Sequence, residues 1–247
     1  MTIARPFFRC FRPGTDGDYY EGGHWIYVLH PDYAPDATHY QRAFSILQGD
    51  MLRLFEYVEP ADINETTFSF RCLELLVRAC GEVEANCRAI LEANGYSAPA
   101  QMTMVDYRKL DPTHHLSSYE VRLPVWIGQR SIRHPFDAWK SRSALPWFTA
   151  HHGSKHNRHH EFPSASFGNV VDAVCAVFVL LSAQFGIEDY GPSHLTVNPG
   201  GYTDEFDRGI GNFLSVRFPT DWDHADCYDF DWSALKNDPR PFAQISF

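Results

Sequence analysis

Residues 145–185 read LPWFTAHHGSKHNRHHEFPSASFGNVVDAVCAVFVLLSAQF. The first part crowds five histidines, a lysine and an arginine into ten residues, His151 to His160. The second part, residues 170–185, is almost wholly apolar, with Asp172 and Ser182 among its few polar interruptions. A helix apolar on nearly all faces belongs in the centre of a bundle rather than on its surface. A polar, cationic cluster therefore leads straight into a segment that must be buried. The expected helix runs over residues 165–184, with Pro163 before it and Gly186 as its stop.

Two further helical patterns lie upstream. Tyr40, Phe44, Leu47, Met51, Leu54 and Val58 recur every three or four residues, which predicts a helix over residues 37–58 ended by Glu59-Pro60. Phe68, Cys72, Leu75, Leu76, Ala79, Val83, Cys87, Ile90 and Leu91 form the core face of a second helix over residues 65–93. Asn64 stands in N-cap position and Asn94-Gly95 marks its end. Another face of this helix carries Arg71, Glu74, Arg78 and Glu82 at steps of three and four. Such a ladder is either a solvated face or a counter-charge for the histidine cluster.

The remaining pieces are short. Residues 25–29 (WIYVL), 119–127 (YEVRLPVWI), 130–133, 213–218 and 243–247 are candidate strands. Residues 96–117 show no strong period. Three regions result: an aromatic N-terminal segment over 1–35, a helical domain over 36–186 with a β-containing insertion near 96–135, and an acidic C-terminal extension over 187–247. A chain of 247 residues suits this size of fold.

The net charge of −10 argues against nonspecific nucleic-acid binding over the whole surface. Charge is uneven, however: residues 130–160 carry a net +5 and residues 187–247 a net −7. Such a basic centre suits an anion. The six cysteines show no CxxC pair, which reads as buried free thiols in a reducing cytosol. Residues 170–185 are too short for a membrane span, so no membrane partner is expected.

The cluster supplies proton carriers and fixed cations together. Imidazole titrates near working pH, and Lys and Arg hold phosphate. Metal-free RNA cleavage needs a base for the 2′-hydroxyl, an acid for the leaving 5′-oxygen and a cation for the charge between them. Two other readings compete. The cluster could be a buried polar network of a non-catalytic interaction protein. Alternatively His152, His156 and His160, spaced by four, could hold zinc on a helix. Gly153, Ser154 and Pro163 argue for an irregular cluster instead, so neither metal nor cofactor is expected.

Residues 136–139 (FDAW), 145–148 (LPWF) and 150–158 (AHHGSKHNR) resemble a bacterial group of mostly uncharacterised proteins. Its pattern is PFxxW, a Trp, then A-Y-N-x-V-K-H-D-R and an Ala-rich apolar helix. The helix over residues 70–95 resembles that group as well. The likeness spans residues 36–186 and implies a mainly α, HEPN-like helical bundle with small β additions. The wider HEPN class includes metal-independent ribonucleases of defence systems, often dimers, so RNA and a second copy are the partners it implies. The class signature, Arg followed after four to six residues by His, has no copy inside the cluster. Lys155, His156 and Arg158 match the K-H-x-R core of the group. On this basis His156 is the expected acid/base, Lys155 and Arg158 the phosphate holders, and Glu74 or Glu82 the orienting carboxylate. Arg71, Arg78, His151 and His152 are expected to bind substrate.

Overall fold

The computed structural model describes residues 2–188 and 207–247. Residues 25–29 do not form a strand. They lie in a 3₁₀ stretch, Glu21–Leu29. Tyr27 and Val28 are buried while Ile26 and Leu29 are exposed, which is a helical rather than a two-residue repeat.

The first apolar stripe becomes α1, Ala37–Phe55, burying Phe44, Leu47, Met51 and Leu54. The second becomes α2, Phe70–Ala93, five residues shorter at its start than the sequence suggests. Its N-cap is Ser69, whose hydroxyl accepts a hydrogen bond from the Cys72 amide at 3.1 Å. Asn64 instead donates to the Glu59 carbonyl. The chain before Ser69 is committed elsewhere, because the carbonyls of Glu65 and Thr67 accept from the amides of Gly168 and Phe167. Residues 96–117 contain two single-turn helices, α3 (Met104–Tyr107) and α4 (Asp111–His114). Next come β1 (Glu120–Arg122) and β2 (Ile132–Arg133), then α5 (Pro146–His156) and α6 (Arg158–Glu161).

The apolar segment is α7, Phe167–Phe185, with Ser166 as N-cap and Gly186 at its C-terminal end. Gly186 sits at φ +63°, and a Cβ there would run into the Tyr20 hydroxyl and the Phe11 ring. Glycine is therefore required on both conformational and steric grounds. By length and composition α7 is long and apolar enough to cross a membrane, but 89% of its most apolar 18-residue stretch is buried inside the fold. It packs most extensively on α2, then on α1 and α5. All six cysteines are free and buried.

Beyond α7 lie β3 (Asp207–Arg208), β4 (Ser215–Arg217) and one more helical turn, α8 (Trp232–Leu235). The four strands form one antiparallel sheet in the order β2-β1-β4-β3. Residues 243–247 contribute a single bridge, Phe7 to Ala243, rather than a strand. The N-terminal segment threads among C-terminal pieces through the further bridges Ile3–Tyr228 and Gly14–Tyr228. An aromatic wall that includes Phe11, Tyr19, Tyr27, Phe218, Tyr228 and Trp232 fills the space between them. The architecture is mainly α with a small β addition.

Part of the basic centre is internal. Arg133, with a fully buried side chain, pairs with Glu65 at 2.9 Å and with Asp172 at 3.0 Å. Arg130 pairs with the same two carboxylates at 3.0 and 2.9 Å. The Trp126 ring lies under the Arg133 guanidinium at 4.1 Å. Asp172, one of the polar residues of the apolar helix, is thus the α7 corner of a neutral square of charges. The square ties α7 to the hairpin β1–β2 and to the loop before α2.

Candidate functional site

Residues 146–156 are helical as α5, so Gly153 and Ser154 do not break the chain as expected, and the irregularity of the cluster lies further on, between His156 and Arg158. Pro146 opens the first turn, where its missing N–H is harmless. Ser154 tolerates the helix by donating to the His151 carbonyl at 3.2 Å. Gly153 lies where the Glu161 side chain of α6 crosses α5. The break comes at Asn157 (φ −133°, ψ 52°), after which α6 turns back. Trp147, Ala150, His151 and Ser154 form the buried face. Phe148, Thr149, His152, Lys155 and His156 lie along an adjoining face.

That adjoining face lines an open cleft of about 810 Å³. Its other walls are Glu84 and Arg88 of α2, the segment Met102 to Arg108 around α3, and Trp139 with Arg142. His152 and His156, one turn apart, have ring centroids 4.6 Å apart. His152, Lys155 and His156 are exposed, and among the described residues none of the three side chains has a hydrogen-bond partner. Among the described residues, Arg88, Arg108, Arg142 and Lys155 place four cations on the cleft, against the single carboxylate Glu84. Two of these cations are tethered: Arg88 pairs with Glu92 at 3.3 Å, and Arg108 donates to the Arg142 carbonyl at 2.7 Å.

His151 differs from its neighbours. It is only 7% exposed, and its Nδ1 is buried without a hydrogen-bond partner. Burial, reinforced by Lys155, His152 and His156, pushes the imidazole down to about 4. It is therefore neutral at working pH.

The α2 ladder faces the wrong way for the expected role. Arg71, Glu74 and Arg78 line a separate groove of about 490 Å³ with Asp50, Arg53 and Tyr57, on the α1 side. Glu74 pairs with Arg71 at 2.9 Å, and Arg78 pairs with Asp50 of α1. Burial raises the Glu82 carboxyl, and the nearby His39 and Arg78 oppose that rise. None of the four residues lines the cleft, so the expected contact of Glu74 or Glu82 with Lys155, His156 or Arg158 is not formed. The helical repeat explains this. Residues 82 and 84 point about 200° apart, and only the second faces α5. Arg158 is exposed on α6, outside the cleft. Among the described residues no group of three metal-ligating side chains converges.

A second polar cluster went unmarked in the sequence. Cys10, fully buried, receives a hydrogen bond from Arg12 Nε at 3.2 Å. His114, also buried, contacts the Arg9 carbonyl and the Thr113 hydroxyl. Burial alone would raise the Cys10 thiol, but His114 and Arg12 outweigh it and bring it down to about 6. Arg12 also donates to the carbonyls of Thr113 and Asp226. The cluster latches the N-terminal segment to α4 and to the C-terminal region. Because 104 positions separate Cys10 from His114, no local motif announces it.

Comparison with protein-family models, with curated proteins and with solved structures finds no match to this chain.

Proposed function

We propose that the cleft binds RNA and cleaves it without metal, in the manner of HEPN-like ribonucleases. The observation that carries this reading is the pair His152 and His156, adjacent and unpartnered, in an open cleft with four cations. A phosphodiester lying across the exposed edges of the two neighbouring rings meets both imidazoles. One imidazole, neutral, accepts the proton of the 2′-hydroxyl as that oxygen attacks phosphorus. The other, protonated, gives its proton to the 5′-oxygen as the P–O5′ bond breaks. Lys155 offsets the charge on the phosphoryl oxygens. Products are a 2′,3′-cyclic phosphate and a free 5′-hydroxyl.

A non-catalytic polar network would have its nitrogens occupied by buried carboxylates or carbonyls. The exposure of Lys155 and His156 favours the open-site reading over that one. The test is incubation of the pure protein with mixed RNA in EDTA. Cyclic-phosphate ends should form, and His156→Ala should lose about 10²–10⁴-fold of the rate with an unchanged melting temperature. Full activity in both His152→Ala and His156→Ala would defeat the assignment, and so would absence of cleavage by the wild type.

A further inference from the structure

His151 combines burial, an orphaned Nδ1 and a place on the wall of the cleft. A buried N–H without a partner is rarer and more costly than a buried lone pair without one. The ring proton therefore belongs on Nε2, on a residue that lines the cleft. The ring is held edge-to-face against Phe148, with centroids 5.4 Å apart. Its tautomer and its orientation are thus both fixed by dry surroundings.

Resting on the RNA reading above, we propose that His151 is a specificity residue: its Nε2–H donates to the carbonyl oxygen of a keto base, uracil O4 or guanine O6. The division of labour in the cleft supports this. Phosphates have Lys155, Arg88, Arg108 and Arg142, which attract them without regard to sequence. A neutral donor adds little for a phosphate beside four cations. It is suited to an uncharged acceptor on a ring packed against Phe148 and the methionines at 102 and 104, which also line the cleft. Adenine and cytosine present an amino group at the corresponding edge position. That amino group would meet the Nε2–H donor to donor, leaving both hydrogens unpaired.

The test uses short 2′-O-methyl oligomers, which bind but lack the 2′-hydroxyl needed for cleavage. Oligouridylate should bind about tenfold more tightly than oligoadenylate, the difference expected of one well-made hydrogen bond. Stacking alone would favour adenine, so a preference for uridine cannot come from that source. His151→Phe should keep most of the affinity and abolish the uridine preference, leaving oligoadenylate equal or favoured. His151→Gln, which retains an N–H donor, should keep part of the preference. Nitrogen-15 NMR of the wild type should show the His151 proton on Nε2 at neutral pH. If both oligomers bind equally well, or the proton sits on Nδ1, the inference is overturned while the RNA reading stands. If neither oligomer binds, both fall together. Should His151→Phe fail to fold, the wild-type oligomer comparison and the NMR assignment still decide.

Discussion

At the scale of single residues, the charges of this chain divide into two jobs that composition does not separate. Arg130 and Arg133 belong to the basic centre by sequence, yet the structure spends them on Glu65 and Asp172. Removing one carboxylate leaves Arg130 and the buried Arg133 to share the other, an unbalanced positive charge in the interior. Asp172→Ala should therefore lower stability by about 3–5 kcal/mol in urea unfolding. A loss below about 1 kcal/mol would show that the square is solvated. His151 makes a pH-dependent contribution of definite sign. Its imidazole sits at about 4 in the fold, below the ordinary value near ~6.5. On acidification the unfolded chain takes up this proton first. Stability from this residue is complete above pH ~6.5 and is lost as pH falls toward ~4, by at most about 3 kcal/mol. Unfolding curves across that window should be flatter for His151→Phe than for wild type. The sequence made the residue types legible here: the histidines, Lys155 and the isolated Asp172 are all conspicuous. It did not reveal their burial, because burial depends on which neighbour packs against each face.

At the scale of elements, the three long helices were legible because apolar residues at steps of three and four have one physical explanation. Their starts were not. Asn64 and Ser69 are both acceptable caps, and the choice falls to Ser69 only because the Glu65 and Thr67 carbonyls are claimed by the start of α7. The cluster helix α5 was misread for a related reason. Gly153 and Ser154 are weak helix formers in isolation, but burial of Trp147, Ala150 and His151 overrides propensity. The same limit applies to α2, whose charged residues lie on two faces. Packing alone decides that Arg88 lines the cleft while Arg78 meets α1. This yields a paired expectation. Arg88→Ala should weaken RNA binding and lower the magnitude of its salt slope by about one. Arg78→Ala should leave both unchanged. Equal effects from the two variants in salt-titrated binding would refute the assignment of the cleft over the groove.

At the scale of the whole molecule, regions that look separate in sequence are interleaved. β1 comes from the middle of the chain and β4 from the acidic C-terminal region, yet they are neighbours in the sheet, with Val121 opposite Val216. The acidic region is therefore structural at this point and not merely a solubilising tail. A chain ending at residue 187 would expose the β1 edge, the aromatic wall and Phe11. It should be insoluble or lack cooperative unfolding, whereas an independent helical domain would melt sharply on its own. The bridges Ile3–Tyr228 and Phe7–Ala243 extend this consequence to biosynthesis. Residues 3 and 7 find these partners more than two hundred positions further along the sequence. Loop closure across so long a separation comes late, since its entropy must be met before the contacts reward it. On the ribosome, the emerging α1, α2 and α7 can gather, with the Phe11 amide on the Ala183 carbonyl, while residues 3–7 still lack these partners. Phe7 and Phe8, which pack on Tyr228 and Phe242, would then be open to chaperones until those residues have left the exit tunnel. The last folding step is then the closure of residues 3–7 on residues 228–243, after the helices have met.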